Sequence, residues 1–251
     1  ILFYGQSDVA NGVASNYDSG IEVFNSSIDT AGGNLLMRGS TTGDDASSDD
    51  AGVVLDATSI DTGGGRVDLY GAGSGITHGV LASGGAMLTA GGEVFIEGHS
   101  DAHDGIRLDG FGIDTAGGGI ALYGYGGERG IYTDDGLYSS GGDIVVHGEG
   151  GSGDGTSLLG AIDSDGGLID IFGSSTAATG LVLGGGSYSG VTSDGGDIVL
   201  YGTGATGGVA LYAGLYDGDA VDSNGGAISI TGIASAAGAI GVYADGVNLV
   251  G

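Results

Sequence analysis

The stretch I-D-T-A-G-G-N-L-L-M-R-G, residues 28–39, places an apolar run directly after a pair of glycines. The run Leu35, Leu36 and Met37 is too apolar for a linker. The glycines argue against a helix, because each costs about 1 kcal/mol relative to alanine in a helix interior. Repetition of this stretch along the chain decides which structure it forms.

The pattern G-G-x-apolar-x-apolar-x-G occurs eight times, and successive glycine pairs are 24–32 residues apart. The copies are GGNLLMRG at 32, GGRVDLYG at 64, GGEVFIEG at 91, GGGIALYG at 117, GGDIVVHG at 141, GGLIDIFG at 166, GGDIVLYG at 195 and GGAISITG at 225. Recurrence at such a period is the signature of a solenoid, in which each unit buries its apolar face against its neighbours.

Two further elements accompany each glycine pair. An apolar residue lies four positions before it, at Ile28, Ile60, Met87, Ile113, Leu137, Ile162, Val191 and Val221. A hydroxyl residue lies two positions before it, at Thr30, Thr62, Thr89, Thr115, Ser139, Ser164, Ser193 and Ser223. A third element, glycine-apolar-x-apolar, appears for example at 20–23, 105–108 and 180–183. Each copy thus carries three segments with the two-residue period of strands that bury one face.

These features predict an all-β parallel β-helix of about nine coils, each of 24–34 residues with three short strands. We expect it to be right-handed, by analogy with parallel crossover connections. Two inward columns should run along it, from Leu35 to Ile228 and from Met37 to Ile230. Residues 1–251 should form one solenoid segment, uncapped at both ends and part of a longer array or end-to-end filament, because Ile1 begins inside a strand.

Composition narrows the function classes. The chain has 62 glycines, no cysteine and no lysine, and its net charge is −28. Such a surface repels nucleic acid, because no basic patch can replace the counterions of the phosphates. No apolar stretch reaches the roughly 20 residues of a membrane-spanning helix, so membrane insertion is not expected.

Two acidic segments are candidate metal sites. His99, Asp101, His103 and Asp104 combine imidazole and carboxylate groups that suit zinc or another transition metal. Asp44, Asp45, Asp49 and Asp50 offer carboxylate oxygens of the kind that calcium prefers. A ladder of aspartates before the glycine pairs, which starts at Asp29 and Asp61, is a further candidate for calcium; simple solvation is the alternative reading of all these groups. No cofactor is predicted to be required, and calcium is the one candidate.

An outward column should precede the last glycine of each repeat. Its predicted aromatic ladder consists of Tyr70, Tyr123, Phe172 and Tyr201. Rings on a sheet face can bind sugars or a neighbouring rod, or they can stack on one another between coils, which contributes about 0.5–1.5 kcal/mol per pair.

The sequence predicts no catalytic residues. Some polysaccharide lyases and hydrolases are β-helices, but such lyases need a basic group, and the only strong bases are Arg38, Arg66, Arg107 and Arg129. With 32 acidic residues, neighbouring carboxylates arise without any catalytic reason. A convergent Asp/Arg cleft near Arg107 and Arg129 would favour an enzyme.

The repeats I-D-T-A-G-G-x-(I/L) at 28–35 and G-G-D-I-V-L-Y-G at 195–202 resemble those of filamentous-haemagglutinin-like exoproteins. The resemblance implies a bacterial secreted or cell-surface β-helical shaft with adhesive or filament-building roles. We therefore expect a structural or adhesive fibre segment that associates end to end or laterally and has surface ligands such as polysaccharide. The alternatives are a carbohydrate-binding or polysaccharide-cleaving β-helix, and a calcium-stabilised surface-layer or matrix protein.

Overall fold

A computed structural model describes residues 1–7, 18–42, 50–185, 190–212 and 220–251. In these residues the chain is an all-β parallel β-solenoid without helix, and the predicted fold is confirmed. The solenoid makes about seven turns, fewer than the nine coils predicted from the repeats. The described strands form two sheets, and all pairings between these strands are parallel.

One sheet, which we call face 1, contains the strands that follow the glycine pairs. Its nine strands are β1 (Leu2–Ser7), β4 (Leu35–Thr41), β6 (Val67–Gly73), β8 (Val94–Ser100), β10 (Ile120–Gly126), β13 (Ile144–Gly150), β16 (Ile169–Ser175), β19 (Ile198–Gly204) and β22 (Ile228–Ala234). Their register aligns the repeats, so that the inward columns of the sequence become stacks of buried side chains.

The second sheet has 15 strands and forms the other two faces. Face 2 is formed by β2 (Ile21–Phe24), β11 (Ile131–Thr133), β14 (Thr156–Leu158), β17 (Thr179–Gly184), β20 (Gly207–Tyr212) and β23 (Ile240–Asp245). Face 3 is formed by β3 (Ser27–Asp29), β12 (Leu137–Tyr138), β15 (Ile162–Asp163), β18 (Val191–Thr192), β21 (Ala220–Asp222) and β24 (Asn248–Val250). Three strands run through both faces: β5 (Ala51–Asp61), β7 (His78–Leu88) and β9 (Ile106–Asp114).

These three long strands differ from the prediction of three short strands in every coil. Each bends at a residue with a positive φ: Ala57 at 46°, Gly84 at 59° and Gly110 at 57°; in β7 the next residue, Gly85, also has a positive φ, of 132°. One or two such residues turn the chain without ending the strand, and glycine adopts these conformations with little strain. Sequence periodicity alone does not distinguish such a bend from a loop.

The core is one continuous cluster of apolar side chains along the axis, from Ile21 to Val221. Both predicted inward columns are buried between Leu35 and Leu200, and the residues four positions before the glycine pairs join them. Full burial of such a side chain contributes about 1.5–3 kcal/mol. Thr156, which departs from the apolar pattern, is also fully buried, and its hydroxyl donates to the Phe172 carbonyl at 2.8 Å.

The two glycines of each pair are required for different reasons. The first has a φ between 91° and 122° in every copy, which disfavours any residue with a Cβ. The second lies directly against the preceding coil; at Gly92, for example, a Cβ would be 2.1 Å from the carbonyl oxygen of Gly65. The pair therefore forms a tight corner and also allows the coils to stack closely.

The hydroxyl column closes this corner. The Ser164 hydroxyl donates to the Gly167 carbonyl at 2.6 Å, and Gly167 N–H donates back to the Ser164 carbonyl. From Thr62 to Ser223 the side chains of the column are fully buried. Each of these hydroxyls donates to the backbone carbonyl of the second glycine.

A third set of glycines lies inside the face 1 strands, where faces 1 and 2 approach each other. A Cβ on Gly98 would lie 2.0 Å from the carbonyl oxygen of Gly105, at the start of face 2 in the same coil. The same approach recurs between Gly71 and Gly79 and between Gly173 and Gly180. Two facing columns of glycine thus bring two backbones into direct contact. The repeat pattern predicts the positions of these glycines but not this contact between them.

Candidate functional site

The predicted aromatic ladder lies on the outer side of face 1. Strand register puts Tyr70, Tyr123, Phe172 and Tyr201 in one column, with Glu97 and His147 at the intervening coils. All four predicted rings are half-buried. The column is therefore a contiguous strip of the molecular surface.

Phe95 fills the gap that Glu97 leaves in this column. Its ring centroid lies 5.5 Å from that of Tyr70 and 5.6 Å from that of Tyr123. Phe95 belongs to the adjacent outward column, so it bridges the two tyrosines diagonally. The sequence contains a signal for this contact, because Phe95 and Glu97 are two residues apart in one strand and therefore share a face.

The rings of the ladder contact one another along the axis. The His147 and Phe172 centroids are 4.2 Å apart, and those of Phe172 and Tyr201 are 5.4 Å apart with nearly parallel planes. Arg38 covers the other end, with its guanidinium carbon 4.2 Å from the Tyr70 centroid. Because neighbouring rings cover the ring faces, mainly ring edges remain for a ligand, and the geometry suits stacking between coils.

Histidine–glutamate pairs flank the ladder on neighbouring coils. His99 Nε2 lies 2.8 Å from a Glu97 carboxylate oxygen, and His147 Nε2 lies 3.1 Å from one of Glu149. The His99 ring also stacks on Tyr125, with centroids 4.6 Å apart. Burial raises the pKa of the Tyr125 phenol, and the nearby carboxylates act in the same direction. Face 1 thus combines aromatic rings with ionisable groups that already bind each other.

The second feature is a group of ionisable side chains at the junction of faces 1 and 2, which we call the Asp104 cluster. Its members are His78, His103, Asp104, Arg107 and Arg129. Asp104 is fully buried, and Arg129 donates to its two carboxylate oxygens at 2.9 and 2.8 Å. An Arg107 nitrogen lies 3.5 Å away. This paired geometry is what a buried carboxylate needs to remain charged.

The two arginines of the Asp104 cluster also flank one aromatic ring. Their guanidinium carbons lie 5.1 Å (Arg107) and 4.4 Å (Arg129) from the Tyr132 centroid. Arg107 donates further to Asp109 at 2.6 Å. Asp and Arg therefore do converge near Arg107 and Arg129, but as a buried ion pair covered by a ring, not as an open cleft.

His78 is the other buried member of the Asp104 cluster, at 4% exposure. Its Nδ1 lies 3.9 Å from an Asp104 oxygen, and its ring centroid is 5.1 Å from that of His103. Burial lowers the pKa of His78 below its ordinary 6.5, and the attraction of Asp104 only partly opposes this. The folded chain therefore takes up a proton at His78 less readily than the unfolded chain does.

A pH dependence of stability follows from this difference. A histidine with a lowered folded-state pKa contributes stability that is present above its ordinary value of 6.5 and is lost as the pH falls below it. We expect His78→Gln to flatten the fall in melting temperature between about pH 7.5 and 5.5, the interval around the ordinary histidine pKa. Equal slopes for wild type and His78→Gln would contradict the assignment.

Of the four residues predicted to bind a transition metal, the structure brings His103 and Asp104 into the Asp104 cluster through His78, and each has a further partner of its own. His99 contacts Glu97 on face 1, His103 Nδ1 lies 3.5 Å from a Glu128 carboxylate oxygen, and Asp104 binds Arg129. Asp101 is exposed. Across the residues that the structure describes, no group of three or more metal-ligating side chains is arranged to hold an ion.

Of the four aspartates in the candidate calcium loop, Asp44, Asp45 and Asp49 lie outside the described residues. Asp50 is buried, and its carboxylate accepts from the Asp18 N–H at 3.2 Å. Calcium binding at this loop stays a prediction.

The aspartate ladder has a local role at the corners. The Asp29 carboxylate accepts the N–H of Ala31 at 2.7 Å, and Asp114 accepts that of Ala116 at 2.9 Å. In both cases the acceptor stabilises the left-handed residue that precedes the glycine pair, as Asx turns do. Desolvation raises the pKa of Asp163 in this ladder.

Comparison with protein-family models, with curated proteins and with solved structures finds no match to the chain. The β-solenoid fold is thus established by the strand pairing itself. The part of the chain that the structure describes contains no helix long and apolar enough to cross a membrane.

Proposed function

We propose that this chain is a structural or adhesive segment of an extracellular β-solenoid shaft, as its resemblance to filamentous-haemagglutinin-like exoproteins implies. The observation that carries the proposal is the continuous stack of parallel strands around one apolar core, from Ile21 to Val221. Side chains at both ends of this stack are apolar as well. Leu249 is 55% exposed although it pairs with buried Val221 on the neighbouring strand. Val242 is 44% exposed although it pairs with buried Val209. At the opposite edge, Ile1 is 56% exposed.

The outermost strands also present unpaired backbone edges. Among the described strands, β1 pairs with β4 on one side and β24 with β21 on one side. An exposed strand edge beside apolar side chains is a template for further pairing. A coil placed on either edge, from this chain or from another, would continue both the hydrogen bonds and the inward columns.

Charge supports stacking along the axis over contact between rods. The net charge is −28, and the exposed sides of the described coils carry most of the resolved carboxylates. Like charge at this density opposes side-by-side association, whereas the edge strands β1 and β24 bear mostly apolar residues. The shaft would therefore keep a hydrated acidic surface and stay separate from its neighbours.

The packing supports a mechanical role. Buried hydroxyls close the corners, glycine columns hold two backbones in contact, and the Asp–Arg convergence is a buried ion pair. Each of these features stabilises the stack, and together they favour a rigid scaffold over a catalytic groove. The surfaces left for display are face 1 with its ladder and the loops between strands.

Electron microscopy of the purified 251-residue chain tests the proposal, with two matched variants. Leu249→Asp puts a charge on the exposed edge. Leu88→Asp puts the same charge on the side of the rod, where Leu88 is 47% exposed and pairs with Asp61 and Asp114 on the neighbouring coils. We expect rods that grow end to end with concentration for the wild type and Leu88→Asp, and shorter rods for Leu249→Asp. Isolated particles of one length at every concentration would overturn the proposal.

A further inference from the structure

Two exposed tyrosines lie next to each other on neighbouring strands of face 2. Tyr212 is the last residue of β20, and Tyr243 lies in β23. Tyr243 pairs with Ala210 and Tyr212 with Asp245, so the two side chains are diagonal neighbours on the outer side of the sheet. Their ring centroids are 5.7 Å apart with planes at 53°.

Solvent reaches both rings. Tyr212 is 42% exposed and Tyr243 is 39% exposed. Other ring contacts of the described residues join phenylalanine or histidine to a second ring, whereas this contact joins two phenols. The pair lies outside the face 1 ladder, so stacking along that ladder does not account for it.

The surroundings of Tyr243 favour loss of an electron together with a proton. Its hydroxyl lies 3.4 Å from an Asp245 carboxylate oxygen. A carboxylate at that position can accept the phenolic proton as the electron leaves, and its negative charge stabilises the electron-poor ring. The chain has no cysteine and no lysine, so it can form neither disulfides nor lysine isopeptide bonds.

We propose that Tyr212 and Tyr243 are an oxidative cross-linking site that a peroxide and a one-electron oxidant of the haem peroxidase class convert to dityrosine. Each tyrosine loses one electron and its phenolic proton, and the two phenoxyl radicals join through a carbon–carbon bond between ring carbons ortho to the oxygens. The ortho hydrogens then move to the oxygens and restore both phenols. The chain loses two hydrogen atoms, and one hydrogen peroxide is reduced to two waters.

Such a bond would join the last two described coils covalently. It closes a loop between residues 212 and 243, and closing a loop of that size removes conformational freedom from the unfolded chain. The cross-link would therefore fasten the coil of β23 to the coil of β20. The inference does not depend on the proposed shaft function.

The test treats the full 251-residue chain, at low concentration, with a haem peroxidase and hydrogen peroxide. We expect monomer that has lost two hydrogen atoms, dityrosine fluorescence, a cross-linked peptide containing Tyr212 and Tyr243, and a higher melting temperature. Tyr212→Phe and Tyr243→Phe should each abolish all four results, and their unreacted melting temperatures establish that they fold. Tyr138→Phe is the matched control, because Tyr138 is 40% exposed without a described ring contact, and it should react as the wild type does.

Three outcomes would overturn the proposal. The monomer could keep its mass, the cross-link could map to other tyrosines or between chains, or the product could persist in Tyr243→Phe. Failure of filaments to form in microscopy would not affect this result, so the two proposals fail independently.

Discussion

Replacing Gly98 with alanine should destabilise the chain by about 4 kcal/mol or more, the range reached only by severe local disruptions. The new Cβ would lie 2.0 Å from the Gly105 carbonyl oxygen and 2.8 Å from the Ile106 side chain. Neither backbone can withdraw, because β8 is hydrogen-bonded to β6 and β10 on its two sides. Denaturant unfolding, or loss of soluble expression, measures the effect.

Gly112→Ala is the matched control for this prediction. Gly112 lies in β9, the strand that follows β8 in the chain. A Cβ on Gly112 would meet the Asp135 carboxyl group at 3.6 Å, which is an ordinary van der Waals contact. We expect its free energy of unfolding to stay within about 1 kcal/mol of the wild type, since alanine in a strand also lowers the entropy of the unfolded chain. Equal stability of Gly98→Ala and Gly112→Ala would contradict the close contact between the backbones of Gly98 and Gly105.

Arg129→Ala should destabilise the chain by about 3–5 kcal/mol, the usual cost of removing one partner of a buried ion pair. Asp104 would remain fully buried without the two guanidinium hydrogen bonds at 2.9 and 2.8 Å. Arg107, with a nitrogen 3.5 Å away, could not replace that paired geometry while it also binds Asp109. Equilibrium unfolding in denaturant gives the loss directly.

Arg66→Ala provides the comparison, because Arg66 also binds two carboxylates. Its side chain is 43% exposed and binds Asp68 at 2.8 Å and Glu93 at 3.1 Å. Exposed ion pairs contribute about 0–1 kcal/mol, so this variant should be nearly as stable as the wild type. A loss for Arg129→Ala as small as that for Arg66→Ala would contradict the burial of the ion pair between Arg129 and Asp104.

The sequence predicted the solenoid because its signals are local. Alternation at Leu35 and Met37 identifies a strand with one buried face, and its recurrence places equivalent residues in one column. The corner could also be anticipated, since Thr or Ser two residues before the glycine pair occurs in every copy. The separate steric reasons for the two glycines could not be anticipated, because the reason for the second glycine is its distance to the backbone of the preceding coil.

The candidate sites were less predictable because they depend on contacts between coils. His99, His103 and Asp104 are close in sequence, yet strand geometry directs them to face 1, to Glu128 and into the Asp104 cluster. A usable signal existed for the ion pair: Asp104 and Arg129 each precede the glycine of the third element, so aligning the coils would have placed them next to each other. Their burial had no signal in the sequence.

By itself the sequence determined the parallel stack, its inward columns and its hydroxyl-closed corners, because these follow from a two-residue alternation repeated at the length of one coil. Only the tertiary structure decided that Phe95 completes the ladder across Glu97, that β5, β7 and β9 bend without ending, and that two glycine columns touch. The physical reason is that these features depend on distances between backbones and on diagonal neighbours across coils. Both are set by how many residues each loop takes up before the chain returns to the sheet.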